Sequence, residues 1–70
     1  MKYKNKINEY AERRGISQRE LAERVFVTQV TMSRYVNGER APKIYEAIRI
    51  AKVLKADVYD VFPLDGEGEQ

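Results

Sequence analysis

The sequence predicts an all-α domain built from five short helices, and three observations support this fold class. No alternating run of β-branched residues bounded by turn residues occurs, so no segment is predicted as a strand. Apolar residues recur instead at intervals of three and four, the spacing of one helix face. Residues that begin or end helices separate these segments. A chain of 70 residues then corresponds to one small domain with a thin core.

The first two helices are predicted from the signals at their ends. Ile7 and Tyr10 outline helix one, which ends at Gly15 because glycine accepts the left-handed conformation that closes a helix. Ser17 begins helix two, and Glu20 three residues later completes a Ser-x-x-Glu capping box. The predicted inward face of helix two consists of Leu21, Ala22 and Val25.

Three further helices follow at short intervals. Thr28 is the predicted N-cap of helix three, and Asn37-Gly38 ends it. Pro42 disfavours helix at the preceding residue, so helix four is expected to begin near Lys43. Asp57 begins a short fifth helix. The predicted inward residues are Met32, Tyr35 and Val36 in helix three, Ile44, Ala47, Ile48, Ala51 and Leu54 in helix four, and Val58, Val61 and Phe62 in helix five.

Charge is distributed unevenly along the chain, although the net charge is only +2. Basic residues outnumber acidic ones up to Pro42, whereas the last seven residues carry only acidic charges. A basic body favours a polyanion partner such as nucleic acid, but lysine and arginine also solubilise helical surfaces, and charge alone leaves both readings open. Residues 64–70 are predicted to form a disordered acidic tail because almost nothing in them is apolar.

Composition argues against several classes of protein. Without cysteine or histidine the chain lacks disulfides, thiolate metal ligands and the usual acid/base group at neutral pH. No apolar run approaches the roughly 20 residues of a transmembrane helix, and no signal sequence is recognised. Helix capping explains the closest carboxylate pair, and no glycine-rich phosphate loop occurs. We therefore expect a soluble cytoplasmic protein that is not an enzyme and needs no cofactor, metal or membrane.

Helices two and three predict a DNA-binding unit. Two helices joined by only two or three residues cross steeply, as in a helix-turn-helix. Helix three then projects its outer face with its amino end leading, and a DNA major groove about 12 Å wide admits one such helix. We call helix three the reading helix. The residues best placed to enter the groove are Thr28, Gln29, Val30, Ser33 and Arg34.

The side chains on the reading helix suit contacts with base edges. Gln29 can pair with adenine through its amide, Arg34 can pair bidentately with guanine, and Val30 can touch a thymine methyl group. Other residues suit phosphate. Gln18 lies at the amino end of helix two, where the dipole favours an anion. Beyond the other end of the reading helix, the candidates for phosphate contacts are Asn37, Arg40 and Lys43.

From about Ile7 to Phe62 the chain resembles the Cro/cI-type helix-turn-helix family, also called the XRE family of phage and bacterial repressors. The stretch "ISQRELAERVFVTQVTMSRYVNGERAP" is similar to the family pattern almost position by position, and "IRIAKVLKADVYDVF" resembles its fourth and fifth helices. A single matching residue or dipeptide would indicate little, but the whole set of matches in this order and at these spacings is strong support for the resemblance. The matching residues include Ser17, Gln18, Glu20, Leu21, Ala22, Val27, Thr28, Ser33, Arg34, Tyr35, Asn37, Gly38, Pro42, Ala51, Lys52, Leu54 and Phe62.

The resemblance implies a five-helix DNA-binding domain of the lambda-repressor-like type over residues 1–63. It also implies a repressor that binds double-stranded DNA as a homodimer on a roughly palindromic operator. Gln29, Val30 and Arg34 fall where the family reads bases, with Ser33 beside them, and Gln18, Thr28, Asn37 and Arg40 fall where it grips the backbone. The alternative is a protein-interaction module of the same fold, such as an antitoxin or an anti-repressor.

Three departures from the family pattern affect the turns and the core. Phe26 replaces the usual turn glycine, so it either adopts a positive φ, shifts the turn or serves as an exposed apolar handle. Lys55 replaces the glycine after helix four, at a cost of about 1 kcal/mol if that position is left-handed. Ala11 and Val36 replace a common Arg–Glu pair, and we expect an apolar contact there.

The sequence leaves two roles open for several residues. Ser33 either contacts DNA or is simply exposed, and Val30 either meets a thymine methyl or packs against Phe26. Tyr59 either fills the core or mediates dimerisation, whereas Phe62 favours the core. The N-terminal lysines, which follow phosphate as a loose arm or merely solubilise the chain, are Lys2, Lys4 and Lys6.

Overall fold

The computed structural model describes residues 4–63, and all regular structure within them is helical. The predicted acidic tail, 64–70, and Lys2 lie outside the described residues. No helix in the described range is long and apolar enough to cross a membrane. The five helices, which confirm the predicted fold class, are α1 (Ile7–Arg14), α2 (Gln18–Val25), α3 (Gln29–Val36), α4 (Ile44–Val53) and α5 (Val58–Val61).

Local hydrogen bonds confirm the predicted helix ends. Gly15 closes α1 with a left-handed φ of 68°. The hydroxyl of Ser17 accepts the backbone N–H of Glu20 at 3.0 Å, and the hydroxyl of Thr28 accepts that of Thr31 at 3.1 Å. These caps satisfy backbone groups that the first turn of a helix otherwise leaves unpaired. They also fix where α2 and α3 begin, and thus the length of the turn between them.

A single apolar core lies between the helices. α2 is central, because it packs against α1, α3 and α4, while α5 packs against α4. Ala11 is buried and Val36 packs against the core, so apolar side chains occupy both positions of the missing ion pair. Packing against α2 and the core holds α3 in place and leaves its outer face open. The buried residues are Ile7, Ala11, Leu21, Ala22, Val25, Met32, Tyr35, Ile50, Ala51, Leu54 and Val61.

The prediction of which α4 residues face the core was wrong at two positions. Ile44 is 78% exposed and Ile48 is 46% exposed, whereas Ile50 is fully buried. The buried stripe runs through Ile50, Ala51 and Leu54, with Ala47 half-buried at its start. A second apolar stripe therefore lies beside the core stripe on the same helix. Spacing alone did not separate them, because both follow intervals of three and four.

Phe26 occupies the turn of the helix-turn-helix and adopts a left-handed backbone with a φ of 67°. The turn therefore does not shift, and the first of the three predicted readings is confirmed. Arg49 from α4 reaches this turn. Its Nη1 donates a hydrogen bond to the Val25 carbonyl at 3.3 Å, and its guanidinium lies 5.2 Å from the centre of the Phe26 ring.

Lys55 follows α4 and is the second non-glycine residue with a positive φ among those described, at 55°. An arginine again reaches the left-handed end of the helix. Arg14 of α1 donates from Nε to the Leu54 carbonyl at 3.0 Å and from Nη2 to the Lys55 carbonyl at 3.2 Å. A cation at a helix C-terminus also opposes the negative end of the helix dipole.

Candidate nucleic-acid interface

The outer face of α3 forms a continuous accessible stripe. Gln29, Val30, Arg34 and Asn37 are exposed, and Ser33 between them is half-buried. Met32 and Tyr35 on the opposite side are buried in the core. All four predicted base-contacting residues thus lie on one side of the helix and are accessible from solvent. Their contacts with DNA stay a prediction.

The amino ends of α2 and α3 carry the same kind of side chain. Gln18 is the first residue of α2 and Gln29 is the first residue of α3, and both are exposed. Thr28 is engaged in capping, because its hydroxyl accepts the N–H of Thr31 and donates to Oγ1 of Thr31 at 2.9 Å. A hydroxyl contact from Thr28 to phosphate therefore has to replace that donation, whereas the two glutamine side chains face solvent.

The arginines divide into two groups by what their side chains contact. Arg34 and Arg40 are exposed, and none of the hydrogen bonds or ion pairs of the described side chains engages their guanidinium groups. Two positive charges near the end of the reading helix thus stand outside any ion pair of the described residues, and the pKa of the Glu46 carboxyl is lowered by the hydrogen bond from Tyr35 and also by the charge of Arg40. The engaged arginines are Arg13 with Glu9, Arg19 with Glu23, Arg24 with Glu20, Arg14 with the Leu54 and Lys55 carbonyls, and Arg49 with Val25 and Phe26.

The segment after the reading helix, 37–43, carries the remaining predicted phosphate contacts. Asn37 is the C-cap of α3, Lys43 is the N-cap of α4, and both are exposed. The amide of Asn37 donates to the Ser33 hydroxyl at 3.4 Å. The backbone N–H of Arg40 donates to the Arg34 carbonyl at 3.3 Å. The structure therefore brings Arg40 next to the end of the reading helix, close to Arg34 in the fold.

Glu46 joins this segment to the reading helix, and sequence reasoning missed it. Its Oε1 accepts the Tyr35 hydroxyl at 2.6 Å and the backbone N–H of Lys43 at 3.1 Å. Burial, followed by the bond to Glu46, raises the pKa of Tyr35 to about 12. The same bond lowers the pKa of Glu46. A carboxylate three residues after an N-cap is a recognisable capping signal, but no local pattern indicates a partner on α3.

Two exposed apolar residues flank the polar stripe. Phe26 is 79% exposed and Val30 is 62% exposed. Exposed apolar side chains near an interface are available to a ligand, and a valine methyl suits the methyl group of thymine. The ring of Phe26 faces Arg49 of α4. Val30 remains a candidate for base contact.

A second accessible feature is an apolar groove formed by α4 and α5. It has a volume of about 330 Å³ and lies where the second apolar stripe of α4 meets α5. Ile44 is 78% exposed, and Tyr59 is 65% exposed. We call this feature the α4–α5 groove. Its lining residues are Ile44, Ile48, Val58, Tyr59 and Phe62.

These features define a helix-turn-helix protein, with a capped reading helix whose outer face is polar and accessible. A family model described as helix-turn-helix matches residues 7–61. The chain belongs to this family, in its XRE branch of transcriptional regulators. The predicted family is thereby confirmed.

Relatives of known sequence and structure agree with this assignment. The chain is 38% identical over 64 residues to YgzD, an HTH-type transcriptional regulator of Bacillus subtilis, and covers 97% of it. It is 40% identical over 63 residues to an HTH-type transcriptional regulator of Methanothermobacter thermautotrophicus, of which it covers 91%. These alignments cover 91% and 89% of this chain. Its fold matches a chain of the SinR–SinI protein complex with a TM-score of 0.74 and 28% identity; that match covers 91% of this chain and 61% of the other.

Proposed function

We propose that this protein binds double-stranded DNA sequence-specifically through the outer face of α3 and acts as a repressor in the cytoplasm. Base contacts come from Gln29, Val30, Ser33 and Arg34. Contacts with the DNA backbone come from Gln18, Thr28, Asn37, Arg40 and Lys43. Repression by occupancy needs no cofactor, because a bound protein excludes other proteins from the same duplex.

The observation that carries this proposal is the contrast among the arginines. The guanidinium groups of Arg34 and Arg40 lie at the end of the reading helix and make no hydrogen bond or ion pair within residues 4–63, whereas the other arginines contact carboxylates or carbonyls of their own chain. An exposed arginine and an accessible glutamine on the same helix suit the major groove, where guanine and adenine each accept a bidentate partner. Lys43 extends the positive surface along the same segment.

Selection of binding sites from random duplexes tests the proposal. The wild-type protein should enrich one sequence, and Arg34→Ala and Gln29→Ala should each relax the preference at particular positions. Each loss should amount to about 1–3 kcal/mol in discrimination, the range for a bidentate base contact. Arg40→Ala should instead weaken binding to all sequences alike, because phosphate contacts carry no sequence information.

Arg13→Ala is the matched control, since Arg13 lies on α1 and pairs with Glu9. It should leave both the selected sequence and the affinity close to those of the wild type. Enrichment of no sequence by the wild type, or the same preference in Arg34→Ala and Gln29→Ala as in the wild type, would contradict base reading by α3.

The proposed regulator acts as a homodimer on a palindromic operator, with the α4–α5 groove as its contact. Ile44, Ile48 and Tyr59 place exposed apolar side chains side by side on this surface, and a contiguous apolar patch is a candidate interaction site. A two-fold dimer buries the same patch on both copies, and Tyr59 provides an aromatic side chain of the kind enriched in interfaces. Two reading helices related by such an axis present one half-site each.

Sedimentation of the free protein and of its DNA complex tests the dimer. Ile44→Glu combined with Tyr59→Glu should shift the protein towards monomer and reduce affinity for a two-half-site duplex. Both residues are more than half exposed, so the charges should not unfold the monomer. Phe26→Ser, at an exposed apolar residue outside the groove, should sediment like the wild type; equal sedimentation of the charged variant would reject the groove as the contact.

The second candidate function is a protein-interaction module. The neighbour SinR is known in a complex with the SinI protein, and the α4–α5 groove is an accessible apolar surface on which a protein partner could bind. Salt separates the two functions. DNA binding should weaken with rising salt, with log K falling by about 0.9 per phosphate neutralised for each unit of log salt. Binding of a protein to an apolar groove should respond little.

A further inference from the structure

Tyr35 connects the inner side of the reading helix to the beginning of α4. It is 3% exposed, and its hydroxyl donates to Oε1 of Glu46 at 2.6 Å. The same oxygen accepts the backbone N–H of Lys43 at 3.1 Å. One carboxylate oxygen therefore holds both the helix that carries Arg34 and the residue that begins α4.

The connecting segment, 37–43, is fixed at its other end by α3 itself. Gly38 N–H donates to the Tyr35 carbonyl at 3.0 Å, and Glu39 N–H donates to the Arg34 carbonyl at 2.9 Å. Arg40 N–H also donates to the Arg34 carbonyl, at 3.3 Å. Residues 41 and 42 lie outside any helix, and Pro42 has no N–H to donate. The side chain of Glu46 thus adds a hydrogen-bonded link between α3 and Lys43 to the packing of α4 on the core.

We propose that Glu46 is a positioning residue for DNA recognition, which holds the segment 37–43 so that Arg40 and Lys43 meet phosphates while α3 reads bases. The inference rests on the proposed function. Glu46 does not contact DNA itself; it acts through Tyr35 and the backbone of Lys43. Recognition needs phosphate and base contacts in one register, and phosphate contacts set that register.

The positioning role of Glu46 can be distinguished from the direct effect of its negative charge on DNA binding. A carboxylate next to a phosphate-binding segment repels DNA, so any replacement that removes the charge should raise non-specific affinity. Gln and Ala remove the charge equally, but only Gln keeps an oxygen that accepts the Tyr35 hydroxyl and the Lys43 N–H. The ratio of affinities between the two variants therefore excludes the effect of the charge and reports positioning when both variants are folded.

The experiment compares Glu46→Gln, Glu46→Ala and Tyr35→Phe on two probes. One probe is the duplex enriched by the wild type in binding-site selection, and the other is a fixed duplex of unrelated sequence of the same length. Glu46→Ala should bind the enriched duplex about tenfold more weakly than Glu46→Gln, as expected for loss of a hydrogen-bond acceptor for two donors. The slope of log K against log salt should also be shallower by about 0.9 in Glu46→Ala than in Glu46→Gln, because one phosphate contact is lost.

Tyr35→Phe isolates the bond across the core, because it removes the hydroxyl and leaves every charge in place. It should weaken binding to the enriched duplex by about threefold to tenfold, the effect of one hydrogen bond. The fixed duplex should show a smaller loss, since register matters only where bases are read. Combining Tyr35→Phe with Glu46→Ala should weaken binding little beyond Glu46→Ala alone, because both remove the same bond.

Thermal unfolding without DNA separates positioning from stability. If Glu46 only stabilised the fold, Glu46→Ala would have a lower unfolding midpoint than Glu46→Gln. At temperatures well below that midpoint, the two variants would then bind DNA with the same affinity and the same salt dependence. That result would overturn the inference with the proposed function intact. A wild-type protein that retained neither duplex at low salt would overturn both.

Discussion

Two turns of this protein place a non-glycine residue in the left-handed region, and they are held differently. At Lys55 the guanidinium of Arg14 donates two hydrogen bonds to carbonyls at the end of α4, at 3.0 and 3.2 Å. At Phe26, in the helix-turn-helix, Arg49 donates one bond to Val25 at 3.3 Å and lies over the aromatic ring. Both turns thus have an arginine from another helix, but the contact is shorter and doubled at Lys55.

These contacts explain how the helix-turn-helix is fixed without a glycine in its turn. A left-handed conformation costs an L-residue about 1–2 kcal/mol. In each turn an arginine binds a carbonyl that the helix end leaves unpaired, which offsets part of that cost. At Phe26, part of the stabilisation by Arg49 comes from the aromatic ring of Phe26 itself, the same side chain whose presence makes the left-handed backbone costly. Lys55 contributes only its backbone to the contact with Arg14.

The largest effect is expected from Arg14→Met, which keeps the aliphatic length and removes both donors. We expect the free energy of unfolding to fall by about 2 kcal/mol, from the loss of two bonds from a charged donor. For a domain of this size that corresponds to a fall of roughly 10 °C in the unfolding midpoint. Chemical denaturation followed by circular dichroism measures it. A smaller loss than in Arg49→Met would reverse the ranking of the two turns.

Arg49→Met should destabilise the protein by about 1.5 kcal/mol. The single bond to Val25 accounts for about 1 kcal/mol, and the cation–π contact with an exposed ring for about 0.5 kcal/mol. The same variant should change DNA binding more than Arg14→Met does, because Arg49 braces the turn that places α3. Arg19→Met, at an exposed pair with Glu23, should cost well under 1 kcal/mol and is the control for loss of an arginine.

The sequence predicted the strained positions but not what relieves them. Phe26 and Lys55 stood out because the family places glycine at both. The cap at Ser17 was predicted from Glu20 three residues later, and the cap at Thr28 from its residue type. Arg49 and Arg14 act across 24 and 40 residues, and no local pattern indicates such contacts. The predicted base-reading residues share one accessible side of α3, a consequence of helical spacing. The Tyr35–Glu46 bond was missed because it depends on how α3 and α4 pack.

Lys55→Gly should stabilise the protein by about 1 kcal/mol, since glycine adopts the left-handed conformation without steric cost. The bonds from Arg14 end on backbone carbonyls, so the substitution should leave them intact. Equilibrium denaturation of Lys55→Gly, Arg14→Met and the double variant tests this independence. The two effects should add to within about 0.5 kcal/mol, because Arg14 contacts the carbonyl of residue 55, which the substitution keeps, and not the lysine side chain. Marked coupling would mean that the Lys55 side chain contributes to the Arg14 contact.

Phe26→Gly should have the smallest effect, a gain of about 0.5 kcal/mol, because relief of the left-handed strain is partly cancelled by loss of the ring contact with Arg49. Here the two effects should not add. In an Arg49→Met background the ring has no cation to contact, so Phe26→Gly should gain about 1 kcal/mol instead. The same cycle with Lys55→Gly and Arg14→Met serves as the uncoupled reference. Equal gains from Phe26→Gly in both backgrounds would show that the ring does not contribute to holding the turn, and the two turns would then differ only in the number of hydrogen bonds from their arginines.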